Sequence, residues 1–410
     1  MTNDTAREVT YPLTIRCAAA TAALAPAYVI RWHIGFYPTT LLEAAILVTL
    51  AVFAVESWRA RAMPVWRGPL TIPTIVFLVA GAVSVVDAPS HTAALGIYRA
   101  YLVEPILFAV ALVTALRTAR DAYWIIAGLC IGATVLSAAN IVVVLQAFAA
   151  HTFHAASVPP VAIYSVSNAV ALYLVPLIAV TVCLAIHGTD SRLRPWLWAF
   201  LAVSITAAIL TFSRGGWLAL VAVGVGIALS HRRRWPILGG LAVVAIALAL
   251  VPPIRGRLVA ELAVYPGSGV GSRTVIWANS LKMLEHHAIF GAGLSGFAER
   301  MGAGAFPYGI PLIYPHNIVL NFWSETGLLG LFAFAAIFVI AARISWRGWR
   351  AGASEWRPIH LGVLLALVAI LTHGIVDVPY FKNDLALEFW ILVAFTLAAA
   401  RQVVSSVTSR

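Results

Sequence analysis

The chain has 410 residues, of which 61% are hydrophobic and only 10% charged, whereas a soluble globular protein carries about 25% charged residues. A mean hydropathy of +0.92 excludes an ordinary soluble domain. The formal net charge is +11, from 27 basic and 16 acidic residues; loop placement of the cations accounts for it, so the charge makes no case for nucleic acid.

Apolar stretches of about 20 residues recur along the chain, each long enough to cross a hydrocarbon core as a helix. In lipid every backbone polar group needs an internal partner, so such stretches must be helical. A β-barrel would instead show alternating segments of about 10 residues, and none is present. The expectation is an all-α polytopic bundle forming one integral membrane domain over 1–410. The polar start, Met1 to Tyr11, has no cleavable signal pattern, so the first span should persist.

In chain order the spans fall at roughly 12–30, 38–55, 69–86, 96–116, 122–146, 166–186, 195–212, 216–230, 236–252, 317–342, 358–376 and 385–400, about twelve in all. Cys17, Cys130 and Cys183 lie within them and read as core residues rather than disulfides or metal ligands. The seventh and eighth spans are joined by Ser213-Arg214-Gly215-Gly216, a tight turn. With a cytoplasmic N-terminus, seventeen cations fall inside, including Arg7, Arg401 and Arg410, and eight outside. That asymmetry favours both termini in the cytoplasm.

Five of the eight outer cations, Arg255, Arg257, Arg273, Lys282 and Arg300, share one long extracytoplasmic loop at 255–314, between spans nine and ten. A loop of that length in a compact protein is usually functional. Its stretch 273–287 is amphipathic, with Val275, Leu281 and Leu284 expected on the apolar side and Arg273, Asn279 and Lys282 on the polar one.

Three residues on that outer face can do chemistry together: Arg214, Arg273 and His316. Two guanidiniums suit a phosphorylated lipid headgroup, and an imidazole supplies a titratable base beside it. Taken singly, each has a plainer reading. Arg214 can snorkel from a span end, although the two glycines after it favour a close backbone approach. Arg273 fits equally a solvated position on the loop helix. His316 alone fits an interfacial histidine before a helix. Arg99 and Glu104, five apart, read as a structural pair, and Glu43 and Glu325 as hydrogen-bond partners of loop groups. Asp377, Tyr380, Lys382 and Asp384 cluster in the last outer loop. There Asp377 and Tyr380 are candidates for lining an acceptor cleft, with a solvated loop as the alternative.

Two further motifs are set aside. Gly291-Ala292-Gly293-Leu294-Ser295-Gly296 spells G-x-G-x-x-G but follows no strand of a βαβ unit, so it reads as a turn that could form an anion-binding nest. Glu285-His286-His287 lacks the spacing of a zinc site.

Three motifs in order carry a family resemblance: Ser213-Arg214-Gly215-Gly216-Trp217-Leu218; Ser272-Arg273 leading through Trp277 to Phe290-Gly291-Ala292-Gly293; and His316-Asn317 followed by Glu325-Thr326-Gly327-Leu328-Leu329-Gly330. Together with the twelve-span layout they are similar to the O-antigen ligase superfamily, which also includes O-antigen polymerases. The resemblance implies a bacterial inner-membrane glycosyltransferase whose site faces the periplasm. Such an enzyme moves a glycan from an undecaprenyl pyrophosphate carrier to a hydroxyl of a lipid A–core acceptor, inverting the anomeric centre, with no metal or cofactor. By position Arg214 and Arg273 would bind the pyrophosphate and His316 would serve the acceptor, with Asn317, Lys282, Asp377 and Tyr380 as further substrate contacts. The alternative within the superfamily is a polymerase using a second carrier-linked glycan. A transporter, the rival from another class, predicts ionisable residues along a midplane path; here the chemically competent candidates collect on one face. The sequence does not give an oligomeric state.

Overall fold

The computed structural model describes residues 9–35, 37–153, 159–188, 190–262, 269–306 and 312–408. Parts of the expected 255–314 loop, at 263–268 and 307–311, lie outside the described residues, as do Arg7 and Arg410.

About three quarters of the chain is helical. The helices are α1 (Pro12–Ala23), α2 (Leu41–Arg59), α3 (Thr71–Asp87), α4 (His91–Ile97), α5 (Glu104–Ala115), α6 (Ala119–Ala149), α7 (Ser167–His187), α8 (Arg194–Leu210), α9 (Arg214–Ser230), α10 (Arg234–Leu250), α11 (Pro252–Leu262), α12 (Gly269–His286), α13 (Phe297–Met301), α14 (Ile318–Ala351), α15 (Arg357–Gly374) and α16 (Asn383–Thr408). Each of the twelve expected spans overlaps helical chain, but α1 covers only the first part of 12–30, and 96–116 is divided among α4, the segment Tyr98–Val103 and α5. Membrane-crossing length and hydropathy are met by seven, with α4 and α5 counted as one, and by an eighth if α10 and α11, bent by 87°, form a single span. Three others, α3, α8 and α9, are apolar but only 17 residues long, or about 26 Å at 1.5 Å per residue. The protein is therefore a multi-pass helical membrane protein.

Helix α7 is the centre of the bundle. It packs on α15, α8 and α9, and 89% of its apolar window is buried inside the protein. Helix α10 is its opposite, apolar along its length with none of its residues buried. A helix that is apolar all round and uncovered by protein must find its partner in lipid.

Two local features depart from the expectation. The loop before α2 is a β-hairpin, with β1 (Arg31–Ile34) antiparallel to β2 (Tyr37–Thr40), so the fold is not wholly α. Thr40 ends the hairpin by capping α2, its hydroxyl accepting the Glu43 N–H. Between α4 and α5, Tyr98–Val103 winds as a π-helix. The wider turn resolves the Arg99–Glu104 spacing, which suits an α-helix poorly: Arg99 Nε lies 3.1 Å from Glu104 Oε1 while Nη2 reaches Glu43 Oε2 at 3.0 Å. The structural readings of Arg99, Glu104 and Glu43 hold.

Among the described residues that follow α12, Arg300 ties the chain to the end of α3. Arg300 bonds the Asp87 carboxylate and carbonyl, the Gly291 carbonyl and His287 Nδ1. In the G-x-G-x-x-G turn, Ala292 N–H donates to the Ser324 carbonyl, Leu294 N–H to Ser84, Gly296 N–H to Gly293, and Ser295 N–H to the Glu325 carboxylate. These bonds occupy amides that an anion nest would use and show Glu325 acting as a loop partner. Gly291 and Gly327, both at positive φ, allow the turn to press on a break in α14. A Cβ at Gly327 would stand 2.4 Å from the Ile289 carbonyl.

Helix α12 is amphipathic as expected, but with a different buried face. Ile276, Ser280, Met283 and Leu284 are buried, whereas Val275 and Leu281 are exposed. Positions i, i+4, i+7 and i+8 make that stripe.

Candidate functional site

The turn between α8 and α9 is shaped by its sequence. Phe212 takes a left-handed φ of 52°, a strained conformation for a bulky residue, costing roughly 1–3 kcal/mol. Ser213 then caps α9, its hydroxyl accepting the Gly216 N–H at 3.2 Å. The two glycines let this helix start lie against its neighbours. A Cβ at Gly215 would sit 2.5 Å from the His373 ring, and one at Gly216 2.7 Å from Ala171 Cβ. Arg214 is thereby held at the positive end of a helix, where an anion is favoured.

Arg214, Arg257 and Arg273 line one cleft with Asn168, Ser213, His373 and Asp377. Three guanidiniums repel one another there, and burial lowers the Arg273 pKa, against a raising influence from Asp377. Three cations gathered in a partly desolvated place favour the entry of an anion. Among the described residues, Asp377 is the carboxylate that lines the cleft.

His316 stands beside it. Its Nδ1 lies 3.1 Å from Asp377 Oδ1, and Asp377 also accepts the Val378 N–H at 2.9 Å and the Asn168 amide at 3.1 Å. Burial would raise the Asp377 carboxyl, but the hydrogen bond and charge of His316, with His373 and the Val378 N–H, hold it well below the usual carboxylate range. An ionised carboxylate can only accept, so it fixes the imidazole hydrogen on Nδ1 and leaves the Nε2 lone pair available. His316 also has a left-handed φ, 50°. Its segment is held on both sides: Trp277 Nε1 donates to the Pro315 carbonyl at 3.0 Å and Tyr314 Oη to the Phe381 carbonyl at 3.0 Å. Trp277 thus ties the helix of Arg273 to the turn of His316.

The structure brings Arg214, Arg273, His316 and Asp377 together and leaves three candidates outside. Asn317 caps α14, its carbonyl accepting Val319 and Leu320 N–H and its amide donating to the Ile375 carbonyl. Lys282 is exposed on the outer side of α12 and does not line the cleft. Tyr380 is 1% exposed; its hydroxyl donates to the Tyr101 carbonyl and accepts from Trp390, and its ring packs among Phe77, Phe322, Phe334 and Phe389. It is a core residue because the chain turns inward after Asp377. Arg257, Asn168 and His373 line the cleft without having been singled out. Only Arg257 had a signal, its place among the outer cations.

Residues 198–335 match the family described as O-Antigen ligase. An O-antigen ligase of Pseudomonas aeruginosa is 28% identical over 179 residues. Over the matched segment, the chain is similar to the O-antigen ligase family. The alignment covers 42% of this chain and 41% of that relative, less than half of each. The superfamily segment contains Arg214, Arg257, Arg273 and His316; Asp377 and Asn168 lie outside it and join the site through the fold.

Proposed function

We propose that this protein is an O-antigen ligase-like glycosyltransferase of the bacterial inner membrane. It takes a glycan from undecaprenyl pyrophosphate and transfers it to a hydroxyl of a lipid A–core acceptor at the periplasmic face. The observation that carries the reading is the cleft in which Arg214, Arg257 and Arg273 meet beside the His316–Asp377 pair.

The chemistry follows from what each group can do. A pyrophosphate leaving group needs charge neutralisation more than a proton. Guanidiniums at a helix start provide it where charge develops, an effect worth about 10²–10³ in rate for a single donor. The acceptor hydroxyl is a weak nucleophile. Nε2 of His316 takes its proton as the oxygen attacks the anomeric carbon, while Asp377 holds the ring and stabilises the imidazolium. The carrier's pyrophosphate departs from the opposite side, so configuration inverts. Because the donor lipid stays in the membrane, it reaches the cleft laterally. Neutralisation by guanidiniums makes the reaction independent of added divalent metal.

The test is a reconstituted transfer assay with purified protein, undecaprenyl pyrophosphate-linked glycan, lipid A–core acceptor and excess chelator. Acceptor-dependent product that disappears in folded Arg214→Ala and His316→Ala variants supports the reading. A lengthened carrier-linked glycan in place of transfer to the acceptor replaces it with the polymerase. Absence of both with an active donor removes it.

A further inference from the structure

A second concavity opens at the other end of α8 from Arg214. Helices α6 and α8 meet where Ser137 Oγ lies 3.5 Å from Ser204 Oγ. Toward Arg120 and Arg192 a groove of about 1050 Å³ lies between them, open to the surroundings. Small-ligand pockets hold about 300–1,000 Å³, so this groove stands at the upper end of that range. Small side chains make it: Ala127, Cys130 and Thr134 on α6 face Ala199 on α8, above a floor at Leu184 of α7. Protein interiors leave few voids larger than a water molecule, so a groove this size in a membrane protein is filled from outside.

Depth and rim say by what. From Arg120 to Val135 the α6 wall runs about 22 Å at 1.5 Å per residue, more than the roughly 15 Å of one leaflet in a hydrocarbon core of about 30 Å. Trp124 and Trp196 flank the mouth at 58% and 76% exposure, the placement tryptophan takes at a membrane–water boundary. The mouth carries Arg120 and Arg192 together with Asp190 and Glu355. Among the described residues none of these four is in an ion pair. Two cations and two anions around one opening complement a headgroup that carries both a phosphate and an ammonium.

We propose that the groove between α6 and α8 is a binding site for one phospholipid with a zwitterionic phosphate–ammonium headgroup. The phosphate meets Arg120 and Arg192, the ammonium meets Asp190 and Glu355, and an acyl chain lies along Ala127 to Thr134.

The test uses the full chain in bilayer discs containing equal mole fractions of phosphatidylethanolamine and phosphatidylglycerol, released for native mass spectrometry. One retained phosphatidylethanolamine, favoured about tenfold over phosphatidylglycerol, is expected. Asp190→Asn with Glu355→Gln should bring the two lipids to parity. Ala127→Trp with Ala199→Trp should abolish retention while the melting temperature holds. Should that groove-filled variant not fold, a photoreactive phosphatidylethanolamine on the native chain decides, with crosslinks expected on α6 and α8. Equal or stronger retention of phosphatidylglycerol by the native chain, unchanged retention after filling the groove, crosslinks elsewhere, or a dimer covering this face each overturn the proposal.

Discussion

Asp377 carries two consequences that separate at different pH. Its folded pKa lies below the ordinary carboxylate value of about 3.9, since His316 and His373 outweigh burial. A depressed carboxylate contributes stability that is full above that ordinary value and is lost as pH falls through the lower folded one. Thermal melts of the native protein should therefore hold from neutrality to about pH 5 and fall below pH 4, with Asp377→Asn removing much of that acid sensitivity. In the transfer assay, Asp377→Asn should be slowed markedly, because the amide no longer fixes the Nδ1–H tautomer. His316→Ala should lose about 10²–10⁴ in rate, the usual worth of a positioned base. Arg214→Ala and Arg273→Ala should each lose about 10²–10³, with lysine restoring part because it keeps charge but not the fork. Arg257 is the discriminating case. As a third guanidinium in the cleft it should cost a similar factor on removal, whereas Lys282→Ala, outside the cleft, should leave the rate unchanged.

At the scale of elements, Arg214 and Arg273 were readable because their local motifs persist in the fold: a serine cap with two glycines in one case, an arginine one turn ahead of Trp277 in the other. The His316–Asp377 bond spans 61 positions, and no local pattern encodes it. Tyr380 shows the converse. It stands between Asp377 and Lys382-Asn383-Asp384, so it reads as a loop residue, yet its hydroxyl is claimed by a carbonyl 279 positions away. The helical, multi-pass character was legible from hydropathy, but the hairpin at 31–40 was not, since four-residue strands give almost no periodicity. The π turn was hidden in the same way: the five-residue interval between Arg99 and Glu104 looks like poor pairing until the turn widens. The glycine pair offers an element-scale test. Gly215→Ala places a Cβ 2.5 Å from His373 and should destabilise by about 1–3 kcal/mol through overpacking, displacing Arg214 and slowing transfer. Gly239→Ala on α10, where nothing lies within 4 Å, should cost nothing and gain up to about 1 kcal/mol of helix stability. Paired melting curves of the two variants distinguish close packing from a general intolerance of glycine replacement.

For the whole molecule, the proposed chemistry requires an orientation. Glycan carried on a lipid and an acceptor of the outer leaflet meet only if the cleft opens away from the cytoplasm. The fold ties several markers to each end. Helix α8 runs from Arg194 beside the groove to Leu210 beside the cleft, so the loops carrying Arg120, Arg192 and Arg232–Arg234 belong to the end opposite Arg214 and Arg273. Cationic loops face the cytoplasm, because moving arginine across the bilayer during insertion is costly. Cysteines introduced into a cysteine-free background read this directly. Lys282→Cys, exposed on α12, should react with a membrane-impermeant maleimide in intact cells. Ser191→Cys and Ser354→Cys, exposed at the other end, should react only after permeabilisation. The reverse pattern would put the arginine cleft in the cytoplasm, where lipid A–core awaiting its glycan on the outer leaflet is out of reach, and the ligase reading would fail even with every residue of the site in place.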